Sequence, residues 1–228
     1  MSKFFTATIG RKFIMSISGL FLVLYIAIHL SVNLLLIFDD SGKLFNIAAD
    51  FMTTNPFIKI MEPVLAIGFL VHIIWGFLLE YKNWRARPIK YEAKNPGASS
   101  SWTSRNMIVI GIIILVFLVI HLGNFFWKIK FSPETIADVS INGREIKNSY
   151  ILVSGLFKTS MIHNILYIIG GIFLGIHLSH GFWSAFHSIG LSNKHWMRRL
   201  QIIGNIYAIL VAVGFSMIPL YFMLGLYN

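Results

Sequence analysis

Five long stretches without a lysine, arginine, aspartate or glutamate run through this sequence, at residues 13–38, 63–79, 106–127, 159–193 and 200–228. An α-helix rises about 1.5 Å per residue, so about 20 residues cross the ~30 Å of bilayer hydrocarbon. In lipid the backbone polar groups must be satisfied within the protein, which a helix does alone. Charged residues are 12% of the chain and the mean hydropathy is +0.72. That is too little charge to cover a water-soluble domain. The expected fold is therefore all-α and integral to a membrane, a single membrane domain over residues 1–228. Its five transmembrane helices are predicted near 13–38, 57–81, 106–127, 161–187 and 199–225, with no soluble domain. The second charge-free run is the shortest, so its helix is extended to place Glu62 and Glu80 towards its two ends.

The start of the chain is basic, like a signal peptide. The apolar run behind it is too long, and no small-residue cleavage site follows, so it reads as a retained first helix. Cysteine is absent. That excludes disulfides, iron–sulfur ligation within the chain and covalent C-x-x-C-H haem attachment.

Loop charge gives an orientation. The N-terminus, the loop around 81–105 and the loop around 192–199 carry twelve Lys and Arg against two acids, Glu80 and Glu92. The other side carries seven basic residues against seven acids. The formal charge of +10 thus belongs to the first side, which the positive-inside rule assigns to the cytoplasm. The N-terminus is then cytoplasmic and the C-terminus outside. Topology and anionic lipid account for the basic balance without nucleic acid.

A histidine in hydrocarbon is costly unless its ring nitrogens are satisfied. Four of the five predicted spans carry one: His29, His72, His121, and either His177 or His180. One alone could be a neutral imidazole bonded to a neighbouring helix. Depth argues for more. His29 and His121 lie late in helices running outward, whereas His72 and the helix-four histidine lie late in helices running inward. The four separate into two pairs, one above the other. A low-spin b-type haem takes one neutral imidazole on each side of its iron, and a bundle interior can hold such a cofactor. Gly68 and Gly76 flank His72 by one turn, and Gly170 and Gly181 share the face of His177, which would leave room for a flat macrocycle. Close packing of membrane helices also favours such glycines.

These residues carry a family resemblance. Ile28-His29-Leu30-Ser31-Val32-Asn33, Val71-His72 with Trp75-Gly76, Ile120-His121-Leu122, and His177-Leu178-Ser179 followed by Gly181-Phe182-Trp183-Ser184 resemble the four haem-ligand segments of the five-helix dihaem cytochrome b anchors of bacterial succinate dehydrogenases and fumarate reductases. The likeness covers nearly the whole chain and includes Arg11-Lys12 before the first helix. It implies two haem b groups with axial iron ligands His29 and His121 for the outer one and His72 and His177 for the inner one, with His180 not a ligand.

The resemblance further implies a cytoplasmic-membrane complex, respiratory complex II, in which a flavoprotein with FAD and an iron–sulfur protein dock on the cytoplasmic face. Electrons would pass through this subunit to quinone, with menaquinone expected, and the chain itself would do no carbon chemistry. Glu62, at the outer entrance of helix two, stands where the family places a carboxylate implicated in quinone proton exchange. A glutamate near a helix start is also favoured by the macrodipole. One fumarate reductase branch carries a further acid two residues before the fourth ligand, and this chain has Gly175 there, which weakens that proton route. Rival readings are a fumarate reductase cytochrome b working in the quinol-oxidising direction, the cytochrome b of a hydrogenase or formate dehydrogenase, and a transporter or proton channel using the histidines as a relay.

Overall fold

A computed structural model describes residues 8–86, 102–191 and 193–227. Much of the loop expected between the second and third spans, including Arg87, Lys90, Lys94, Pro88, Pro96 and Glu92, lies outside the described residues, as do Lys3 and Ser192. The elements run α1 (Thr8–Phe38), α2 (Lys43–Thr54), α3 (Pro56–Arg85), α4 (Trp102–Arg105), α5 (Met107–His121), a π-helical turn (Leu122–Phe126) and α6 (Trp127–Phe131). A 3-10 turn (Pro133–Thr135), strands β1 (Asp138–Ile141) and β2 (Arg144–Lys147), α7 (Ser149–Thr159), α8 (Met161–Ser188) and α9 (Lys194–Met223) follow. Among the described residues five helices are long and apolar enough to cross a membrane: Ile9–Phe38, Pro56–Arg85, Met107–Phe131, Met161–Ser188 and Lys194–Met223. The protein is an all-α integral membrane bundle and a multi-pass membrane protein.

The helices start where their sequence permits. Asn55 caps α3, its side chain accepting from the backbone N–H of Phe57 at 2.9 Å, with Pro56 in the first turn where a missing N–H costs nothing. Ser160 and Asn193 cap α8 and α9 in the same way. The last span begins at Lys194, five residues before the expected 199, because the Asn193 cap lets the basic turn Lys194–Arg199 wind as helix.

Packing defines a ring of four. α1 packs against α3 and α8, α8 against α5, and α3 more loosely against α5, while α9 lies outside the ring along α8 and α1. The tightest seam is α8 on α9. A Cβ on Gly171 would lie 3.0 Å from the Ser216 hydroxyl, and one on Gly175 would lie 2.6 Å from the Ala212 methyl and 2.9 Å from the Ala208 carbonyl. This is small-residue packing at four-residue spacing, which lets membrane helices approach backbone to backbone. It also gives a physical reason for a glycine at 175, since no carboxylate side chain fits there. By contrast α3 has no buried residue, leaving much of its surface to lipid.

At the face where α1 ends the chain builds a cap that charge and hydropathy did not predict. The hairpin pairs Asp138 with Lys147 and Ile141 with Arg144, turning through Asn142 and Gly143 at positive φ. Asn-Gly accommodates both left-handed positions of such a two-residue turn. Asn46 of α2 is buried and ties α2 to α7, its side chain donating to Asn148 at 3.1 Å and accepting from the Tyr150 backbone at 2.8 Å. Asp39 accepts from the Leu44 N–H at 2.7 Å and the Ser41 hydroxyl at 2.6 Å. The Leu44 bond is the main cause holding its carboxyl below the usual range. The Tyr150 phenol, by burial first and nearby Asp40 second, is raised. Tyr150, Val153 and Phe157 of α7 join Leu36, Tyr167, Ile218 and Phe222 in one apolar cluster, which seats the cap on the ends of α1, α8 and α9.

Candidate functional site

The four-helix ring has two diagonals, α1 to α5 and α3 to α8, and neither pair of helices is among the closely packed ones. Each diagonal carries a pair of facing histidines. His29 of α1 and His121 of α5 have ring centres 5.6 Å apart with planes at 89°. His72 of α3 and His177 of α8 stand 6.1 Å apart at 74°. The first pair lies towards the face where α1 ends and the second towards the face where it begins. Two imidazoles on opposite sides of one metal, with bonds of about 2.0–2.1 Å, put their ring centres roughly 6.3 Å apart. Both pairs are near that spacing, across helices that are otherwise held apart.

The surroundings differ between pairs. His29 stacks on Tyr25 at 5.4 Å and meets Phe215 at 5.8 Å. His121 sits among Phe117, Phe125 and Tyr167, with ring centres 5.9, 5.5 and 6.0 Å away. The π-turn follows His121 at once and carries Asn124, whose amide donates to the Tyr167 hydroxyl at 3.1 Å. Such π-turns occur frequently at functional sites. His72 instead has the Ser18 hydroxyl oxygen 3.4 Å from its Nδ1. His177 buries an Nδ1 with no hydrogen-bond partner. A buried polar atom without a partner is costly in a core built only for packing.

His180 also leaves its Nδ1 without a partner, but its ring lies edge-on to Trp183 at 4.9 Å. The remaining histidines sit elsewhere: His163 near the start of α8, beside the Ser160 hydroxyl at 2.7 Å, His187 in the last turn of α8, and His195 in a basic groove with Lys194, Arg198 and Arg199. The glycines singled out in the sequence divide into two kinds. A Cβ on Gly68 would lie 2.8 Å from the Phe21 ring and one on Gly170 2.6 Å from the Phe117 ring, so these two seat aromatic side chains. At Gly76 and Gly181 the nearest atoms would be the terminal methyls of Met15 and Met107, at 3.6 and 3.7 Å, and there is room.

Glu62 lies in the second turn of α3 and its carboxylate accepts from Lys130 of α6 at 2.6 Å, joining the second and third spans near the face where α1 ends. Sequence reading did not find Lys130, Ser18, Asn124 or Tyr167. Lys130 had a signal, as a cation near the end of an apolar run opposite a lone acid. Among the described residues no three or more His, Cys, Asp or Glu side chains gather to hold a bare metal ion. The histidines come in twos, a donor number that suits an iron whose other positions are already filled. No protein-family model, curated protein or solved structure matches the chain.

Proposed function

We propose that this chain is the membrane-anchor cytochrome b subunit of a succinate:quinone oxidoreductase, carrying electrons between an iron–sulfur subunit at the basic face and quinone, with menaquinone expected. The observation that carries this reading is the pair of histidine couples on the two diagonals of one helical ring, at two depths. The donor chemistry fits haem b: two imidazoles per site, ring spacings near the two-ligand value, and diagonal helices that do not close on each other. His29 and His121 would hold one haem iron, and His72 and His177 the other. Bound haem supplies reversible one-electron chemistry at its iron.

The residues of the chain supply the rest. The imidazoles would hold the iron, and the rings of Tyr25, Phe117, Phe125 and Tyr167 keep water from the His29/His121 site. Low local polarity and axial ligand identity are two levers by which a protein sets a haem potential. The basic face, with Arg11, Lys12, Lys82, Arg85, Lys194, Arg198 and Arg199, is cytoplasmic by the positive-inside rule, and a flavoprotein with FAD would reach the chain through the iron–sulfur subunit docked there. The membrane is then the bacterial cytoplasmic membrane. Glu62, at the opposite face, can take up and release a proton where quinone chemistry requires it, and Lys130 Nζ lies 2.6 Å from its carboxylate.

The test is a visible spectrum with a pyridine haemochrome assay on the purified chain. Two b haems per chain with low-spin bis-imidazole spectra are expected. One haem or none per chain overturns the reading, and a haem-free protein returns the four histidines to a relay or transport role.

A further inference from the structure

We infer that one turn of α1, from Met15 to Gly19, is the seat that fixes the tautomer and orientation of the His72 ring, with Ser18 as its positioning residue. The inference rests on the reading of His72 as an iron ligand and adds a residue to it. Ser18 is buried within α1, one of two serines in a short stretch of a membrane helix that otherwise packs or meets lipid. Its hydroxyl donates to the Met15 carbonyl at 3.1 Å. That commits its single hydrogen. The oxygen is then left to accept, and the atom facing it is His72 Nδ1 at 3.4 Å. One acceptor therefore faces Nδ1, and its own hydrogen is committed to the Met15 carbonyl.

The ring must carry its hydrogen on Nδ1. Nε2 is left with its lone pair, the form in which an imidazole binds a metal. Gly19 completes the seat by letting the ring lie against the backbone: a Cβ there would come 3.3 Å from His72 Cε1 and 3.6 Å from Nδ1. The opposite histidine is held differently, since His177 Nδ1 has no partner. An N–H donated to an acceptor makes the metal-bound nitrogen more basic. A more basic axial ligand favours ferric over ferrous iron, so Ser18 lowers the potential of the site on His72 and His177 alone.

The experiment compares full-length wild type, Ser18→Ala and Ser18→Thr in detergent, by redox titration of the haem bands and by nitrogen NMR of histidine-labelled protein in the haem-free form, where no iron dictates which ring nitrogen carries the hydrogen. In Ser18→Ala one haem should rise in potential while the other stays, a tenfold loss of ferric preference reading as about 59 mV. Ser18→Thr, which keeps the hydroxyl, should return to the wild-type value. Unchanged potentials in Ser18→Ala overturn the seat and leave the proposed function standing. A wild type without haem overturns the proposed function instead. The wild-type NMR then decides alone, as it does if both variants fail to fold: hydrogen on Nδ1 of His72 supports the seat, and hydrogen on Nε2 overturns it.

Discussion

Removing one imidazole from a facing pair leaves its partner in an apolar interior with nothing opposite, so the effect should be confined to one site. His29→Ala or His121→Ala should lose one haem and keep the other, and His72→Ala or His177→Ala should do the converse, because the two pairs share no residue. His180→Ala should keep both, since that ring packs edge-on against Trp183. Haem counts and the surviving visible bands of each variant read this out, and loss of a haem in His180→Ala with retention in His177→Ala would reverse the helix-four assignment. The facing residues were legible in the sequence because depth in a membrane helix follows from residue count and direction. Their support was not. Ser18 is 54 residues from His72, and a serine in an apolar run gives no sign of whether it faces a ring or bonds only to its own helix.

At the scale of elements, the α8/α9 seam makes the sharpest demand on side-chain size. A methyl on Gly175 meets the Ala212 methyl and the Ala208 carbonyl below van der Waals contact, both on packed backbone with no flexible side chain to move aside. Gly175→Ala should lower the thermal midpoint in detergent, at a cost of about 1–3 kcal/mol typical of overpacking. Gly111→Ala is the control. Nothing lies within 4 Å of a Cβ there, and removing a helical glycine should leave stability unchanged or raised. A midpoint equal for both variants would show that the seam is not closed in the folded protein. The span positions followed from freedom from charge and from length. The π-turn after His121 did not, because Leu122–Phe126 is apolar and helical by every local preference and the extra residue in its turn is set by tertiary contacts such as Asn124 with Tyr167. The hairpin was missed because its strands are only four residues each, so the alternation of Asp138–Ile141 is too brief to stand out among the charged residues around the Asn-Gly turn.

For the whole molecule, the proposed function requires proton exchange at the face opposite the basic one, and Glu62 with Lys130 is where two explanations diverge. The pair joins the second and third spans at 2.6 Å, with the Glu62 side chain 34% exposed, so it could serve as a brace alone. Ion pairs so exposed contribute about 0–1 kcal/mol, too little for a brace to govern turnover. Glu62→Gln removes both the charge and the exchangeable proton, whereas Lys130→Gln removes the ion pair and keeps the carboxyl group. If Glu62 relays protons, Glu62→Gln should keep both haems and succinate-dependent haem reduction in the assembled complex while quinone reduction falls at least severalfold. Lys130→Gln should then retain most of the turnover. If the pair is only a brace, both variants should behave alike, with a small common loss of stability and near-normal rates. Ten residues, or about 15 Å of helix, separate Glu62 from His72, so neither change should disturb the potential of the site on His72 and His177. Measuring haem reduction and quinone turnover side by side in the two variants therefore separates a proton carrier from a tie between helices, and equal turnover in both would remove Glu62 from the quinone chemistry.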